Sequence, residues 1–379
     1  MRPAPRLNQR KLRALTHNAH KWIGLTLGLL FALLGLTGSL LVFYPELDRV
    51  LNPQRAVRTP TRITSFNGIV EALQQAEPAR FDTWRIELPH SDETPITARY
   101  YKPVETAHLA FAPLILTLDP ASLRVTSQRF WGDDLFTWIY DLHYSLLLGN
   151  TGKILLGIAS LLILALLFSG LYLWWPSAKS WRGALTIKSG AAWKRRIYDL
   201  HAKPGVYALL LVVTLTTSGL LLVVPSWFTP GIDRLSPLSR LYQASKRSQP
   251  VEPRISADEA IRIARDRFPG ADVRWLHTPA PEQAVWRIQM RQSGEPNQRF
   301  PRTNVWIDAV TGEILATRDP QQNSAGDTLM DWLHPLHNGE AFGLPGRIIA
   351  FACGFLPLLA FVTGFIRWRH KVRPAAARG

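Results

Sequence analysis

Four stretches of the chain carry almost no polar residue for about nineteen positions or more: 22–44, 154–175, 206–224 and 348–366. A helix rises 1.5 Å per residue, so each is long enough to cross a hydrocarbon layer of about 30 Å. Uncharged runs of this length belong in a bilayer rather than in a water-soluble core. Two longer polar stretches separate the first run from the second and the third from the fourth. Here the pattern changes to short alternating segments. Residues 255–261 begin with Ser256 ahead of Asp258 and Glu259, a capped amphipathic helix. Alternating strands follow at 285–290 and 305–307, with a turn at 308–313. The first polar stretch predicts a helix at 68–75, strands at 84–87, 98–102 and 114–118, and a matching turn from Asp119 to Ser122.

The apolar runs match in pairs. His20, Gly24 and Gly38 recur as His201, Gly205 and Gly219, each 181 positions later. Trp138, His143, Gly149, Gly152, Gly170 and Trp174 recur as Trp332, His337, Gly343, Gly346, Gly364 and Trp368, each 194 positions later. The chain is a duplication, and each half reads helix, outer domain, helix. The expected fold class is an integral membrane α-helical protein. It has four transmembrane helices, as a duplicated two-helix unit, and two outer α+β domains. The expected segments are a basic terminus at 1–21, spans at 22–44, 151–175, 204–225 and 344–366, outer domains at 45–150 and 226–343, an inner loop at 176–203 and a tail at 367–379.

Charge orients this arrangement. The segments 1–21, 177–203 and 367–379 hold eighteen of the 44 Lys and Arg but one of the 28 Asp and Glu, Asp199. Basic loops stay on the cytoplasmic side, so both termini are expected inside and both large domains outside, in a periplasm if the cell is a Gram-negative bacterium. The net charge of +16 is therefore a topology signal and not a nucleic-acid surface. Arg2, Arg6, Arg10, Lys11 and Arg13 precede the first run. That run exceeds a signal-peptide core of about 7–15 residues and lacks a small-residue cleavage site, so it reads as a retained helix. The single cysteine, Cys353, excludes intramolecular disulfides, covalent c-type haem, cysteine zinc sites and iron–sulfur clusters.

Ionisable side chains at the ends of spans are costly and point to function. His20 and His201 are equivalent, as are His143 and His337. Halves packed about a two-fold axis along the membrane normal bring each pair together from opposite sides. Two neutral imidazoles facing across a macrocycle is bis-histidine haem ligation. Two haems at different depths follow, a layout suited to moving electrons outward. Gly24 and Gly205, one turn after their histidines, give a flat ring room or serve close helix packing. The same two readings apply to Gly149, Gly152, Gly343 and Gly346. Lys21, Arg195, Arg196, Lys203, Lys153 and Arg347 are propionate partners or headgroup anchors. His17 and His334 share faces with the favoured ligands and rank second, their counterparts being Tyr198 and Tyr140. Trp138 and Trp332 line an acceptor surface or the interfacial aromatic belt.

The segments from His20 through Trp22 to Gly24, Leu142-His143, Leu200-His201 and from His337 through Gly343 to Arg347 resemble the PepSY-associated transmembrane helix family. Residues 255–313 resemble the PepSY domain itself, whereas the turn after Asp119 lacks the Gly-Glu of Gly312-Glu313. The resemblance implies PepSY-like outer domains and a haem b reductase that passes electrons to a ferric siderophore in the periplasm, releasing iron for uptake. The inner loop is too short for a nucleotide-binding domain and no G-x-G-x-x-G follows a strand. No NAD or flavin site is expected, and a quinol or separate reductase must act as donor. Two other readings are a membrane-anchored protein-binding or protease-regulating module without redox activity, and a component of an iron-chelate transporter. The absence of a broken helix or an acidic intramembrane site weighs against the last.

Overall fold

The computed structural model describes residues 9–57, 63, 65–186, 190–245 and 249–376, with side chains to 370. Arg2, Arg6 and Lys188, and the side chains of Lys371, Arg373 and Arg378, lie outside the described residues. Two compact units interleave along the chain. One comprises residues 1–43, 142–225 and 336–379, the other 44–141 and 226–335.

The first unit is helical: α1 (Gln9–Thr26), α2 (Gly28–Val42), α3 (Gly149–Trp174), α4 (Trp193–Tyr207), α5 (Leu209–Val223), α6 (Gly343–Cys353) and α7 (Leu356–Ala376). Helix α3, and the continuous stretch Glu340–His370 containing α6 and most of α7, are each long and apolar enough to cross a bilayer. The pairs α1–α2 and α4–α5 also qualify, but each is bent, by 54° and 65°. Among the described residues the chain thus has two to four candidate spans.

These bends correct the expectation of unbroken helices. Pro204 lies inside α4, four residues before the break at Ala208. In α1, Thr26 donates to the carbonyls of Trp22 and Ile23 just before the break, a back-bond that bends helices. The packing follows the duplication: α1 lies on α3 and α4 on α7 within each half, while α2 lies on α6 and α7, and α5 on α3, between halves. Gly35 and Gly354 let α2 and the break after α6 meet backbone to backbone, since a Cβ on either would strike the other's carbonyl. Ser39 donates to the Phe351 carbonyl at 2.7 Å beside this crossing.

The second unit is an antiparallel sheet of β1 (Trp84–Glu87), β2 (Ile96–Tyr100), β3 (Leu114–Leu118), β4 (Val125–Phe130), β5 (Asp272–His277), β6 (Val285–Arg291), β7 (Thr303–Asp308) and β8 (Ile314–Arg318). Its order is β4-β3-β2-β1-β5-β6-β7-β8. Each half contributes a four-strand meander, and the halves join where β1 pairs with β5, Ile86 opposite Leu276. What the pattern suggests as two modules is one continuous sheet, because that seam removes two exposed edges.

The helices Phe66–Ala76 and Ala257–Arg267 cover one face and seal a single core containing Ile69, Leu73, Ile86, Ile261, Leu276 and Ile288. Their N-termini are bonded reciprocally. Asp258 accepts from Phe66 N at 2.7 Å, and Asn67 Oδ1 accepts from Asp258 N at 3.1 Å. A carboxylate is favourable at a helix N-terminus.

Candidate functional site

His20 sits on α1 and His201 on α4, while His143 ends the helix Leu135–Ser145 and His337 ends Ala325–His337. Within the helical unit they meet in two couples. The ring centroids of His20 and His201 are 6.3 Å apart, and those of His143 and His337 are 6.1 Å apart.

Each ring is held the same way. His20 Nδ1 lies 3.2 Å from the Leu166 carbonyl and 3.0 Å from Ser169 Oγ. His201 Nδ1 lies 3.0 Å from the Ala360 carbonyl and 3.2 Å from Thr363 Oγ1. His337 Nδ1 lies 2.9 Å from the Leu215 carbonyl and 3.1 Å from Ser218 Oγ. His143 Nδ1 lies 3.0 Å from Thr37 Oγ1 and also meets the Leu34 carbonyl.

The hydroxyl protons are committed elsewhere. Ser169, Thr363, Ser218 and Thr37 each donate to a carbonyl of their own helix, at 2.6–2.8 Å. Their oxygens are therefore acceptors, and Nδ1–H is the donor to both partners. Fixing the proton on Nδ1 leaves the Nε2 lone pair for a ligand, the arrangement that orients metal-bound imidazoles.

A glycine completes each seat. A Cβ on Gly170, Gly364, Gly38 or Gly219 would come within 2.9–3.1 Å of Cε1 of His20, His201, His143 or His337 respectively. The dipeptides Thr37-Gly38, Ser169-Gly170, Ser218-Gly219 and Thr363-Gly364 are thus four copies of one device. They are readable in the sequence as Ser/Thr-Gly near the middle or far end of every apolar run, a signal that attention to the histidines alone passes over. Gly219→Ala is expected to push the His337 ring off Leu215 and Ser218 while leaving the His20–His201 couple intact. Histidine ring NMR shifts, in which only His143 and His337 move, would check this.

The remaining candidates divide clearly. Gly205 has no atom within 4 Å of its would-be Cβ and Gly24 only Leu166, at 3.7 Å, so space lies beside both. Gly152 and Gly346 instead admit the carbonyls of Ser145 and Gly339 in the turns after His143 and His337, so they shape those turns and provide no ring space. Lys203 is buried, with its ammonium 3.1 Å from Asp199 and bonded to the Thr186 carbonyl, and Arg195 reaches Asp199 at 3.0 Å. Arg196 is exposed.

Lys21 lies over Trp22 and Lys153 over Tyr144, while Arg347 caps the Val42 carbonyl at 2.7 Å over Phe43. One cation that sequence reasoning missed, Arg367, is near enough to act on both His20 and His201. It follows Gly364 by three residues, on the same helical face. His17 is exposed on α1 and outside both couples. His334 belongs to the sheet unit, edge-on to Phe300 and 3.5 Å from Asn297 Nδ2. Trp138 is exposed and Trp332 half-buried.

Apolar helices with histidine couples, together with an antiparallel sheet domain, define a membrane protein of duplicated architecture. The chain belongs to the PepSY-associated TM region family, whose model matches residues 17–371. No curated protein matches the chain.

Proposed function

We propose that the chain is a haem b-containing oxidoreductase of the bacterial inner membrane that passes electrons outward to reduce a ferric siderophore, releasing iron for uptake. In this reading each bent pair is one span, giving four, with both termini cytoplasmic and the sheet domain, built from two PepSY-like halves, in the periplasm. The observation that carries it is the repeated couple of imidazoles, each locked through Nδ1.

The fit to the group is dimensional. Two imidazoles bound end-on at about 2 Å to one metal, with about 1.1 Å from nitrogen to ring centre, have centroids about 6 Å apart. Both couples have that spacing. Haem b bound at each couple would supply a one-electron carrier. His20 and His201 would hold the inner group, His143 and His337 the outer one. Arg367 is positioned to offset negative charge between the inner pair, and the space at Gly205 gives a flat ring access to the backbone. The acceptor gains one electron, Fe(III) becoming Fe(II), which hard oxygen ligands hold less well. The electron comes from a quinol or a separate reductase.

The bends are the observation that favours a transporter component, since broken helices build substrate sites. The Thr26 back-bond is a local cause for the first bend, and the buried acid Asp199 is ion-paired with Lys203 and Arg195. An anchored module without redox activity has no use for matched, tautomer-locked histidines.

The test is the reduced-minus-oxidised absorption spectrum of purified protein. About two b-type haems per chain are expected. Colourless, folded protein from haem-replete cells would sink the proposal in favour of the other two.

A further inference from the structure

The sheet face opposite the two helices is unusually basic, and the strand register shows where. Arg99 stands opposite Arg85, Arg85 opposite His277, and His277 opposite Arg287. Four cationic or ionisable side chains therefore occupy one rung across four adjacent strands, centred on the seam between the halves. Like charges directly opposite one another destabilise a sheet, so such a rung needs compensation.

Some of it is present. Glu87 accepts from Arg99 at 3.2 Å and from Arg299 at 2.6 and 2.8 Å. Asp331 meets Arg302 at 3.2 Å and Arg318 at 2.9 Å. Among the described residues neither Arg85 nor Arg287 has a carboxylate within ion-pairing distance, although the charge of Glu87 acts on Arg85. Arg85 lies 4.2 Å from the centre of the Trp275 ring and bonds Tyr101 Oη at 3.3 Å. Arg287 lies over Trp306 at 5.2 Å and bonds Asn304 Oδ1 at 2.8 Å. Between them, Nε2 of His277 is shielded from solvent and has no hydrogen-bond partner, as has Nε of Arg85. Burial, then the fields of Arg85, Arg302 and Arg318, bring the Arg287 pKa down to about 10. That is the mark of a guanidinium placed among its own kind.

We propose that Arg85, His277 and Arg287 form an anion-binding site for a polycarboxylate chelate, the form in which the acceptor is offered to the protein. Arg85 and Arg287 are on strands two apart, so their backbones are separated by about 10 Å, and a ligand with several carboxylates can engage both. Each guanidinium is backed by a tryptophan and offers a planar fork that suits a carboxylate bidentately. The His277 imidazole, unpartnered at Nε2, lies on the same rung between the two forks. The metal-bearing form of the ligand rests on the reductase reading, whereas the anion site stands on the rung itself.

Gallium(III) citrate is a redox-silent probe, so its binding needs no haem and no electron donor. Titrated into detergent-purified full-length protein, it should bind saturably below about 1 mM. Metal-free citrate should compete for the same site. The double variant Arg85→Gln/Arg287→Gln should bind at least about tenfold more weakly with its absorption spectrum unchanged. Arg85→Lys/Arg287→Lys keeps the charges but loses the forks, and should fall between the two. That variant decides the matter if the glutamine protein does not fold. No saturable binding to the wild type, or either double variant binding as tightly as the wild type, would overturn the site. A colourless protein that binds gallium citrate at this rung would overturn the reductase reading alone.

Discussion

Replacing His337 with alanine is expected to remove one haem of two, halving the b-type absorbance per chain, and to abolish reduction of a ferric chelate. The argument rests on the couple rather than on the single residue. His143 and His337 are 6.1 Å apart, each locked through Nδ1 by a carbonyl and a hydroxyl from another helix. With one ring gone, the other retains its seat but no longer has a partner on the far side. His143→Ala should give the same loss, and the double variant no further loss. His20→Ala or His201→Ala should remove the other haem, because those residues form a separate couple with their own seats. His17→Ala and His334→Ala should leave both haems, since neither ring belongs to a couple. Pyridine haemochrome quantitation of each variant is the measurement. Retention of both haems in His337→Ala would mean that the ligand at this level is another residue, with His334 the first to re-examine.

How much of this can be read from the sequence differs by element. The apolar runs, the two-fold repeat and the four histidines are legible because each leaves a periodic or exact trace. The bends do not show in the hydropathy pattern, because Thr26 is one polar residue at the edge of an apolar run and Pro204 precedes the break. The strands β5, β4 and β8 are poorly marked for a different reason. Asp272, Arg274 and His277 in β5 are polar residues on a strand that a long-range pairing with β1 places at the centre of the sheet. The edge strands β4 and β8 have little burial to impose alternation. The joining of the halves depends on the same pairing, across nearly two hundred residues. In the site, the imidazoles are visible and their seats are not. A Ser or Thr before a glycine in a membrane helix is common, and only the fold shows that four such dipeptides each receive a histidine.

The sheet domain should lose about 3–5 kcal/mol on Glu87→Gln, the cost of removing one partner from a buried ionic network. Glu87 is 5% exposed and serves both Arg99 and Arg299, the latter also bonded to Tyr44 Oη. Taking away its charge leaves two guanidiniums close together with no carboxylate between them. The same network sets a pH dependence. Burial alone would raise the Glu87 pKa, but Arg299, by its charge and its hydrogen bonds, and then Arg99 outweigh burial and hold it below the ordinary value of 4.5. A carboxylate depressed in the folded state contributes stability that is fully present above its unfolded pKa. That contribution fades as pH falls through the lower, native value. Wild-type protein should therefore lose sheet stability below about pH 4, and Glu87→Gln should be weaker at neutral pH with a shallower acid dependence. Urea melts followed through the tryptophan signal of the sheet, at pH 7 and pH 4, measure both effects. An unchanged midpoint at pH 7 would show that the two arginines find other partners. Glu87 would then be a bystander to the join between the halves.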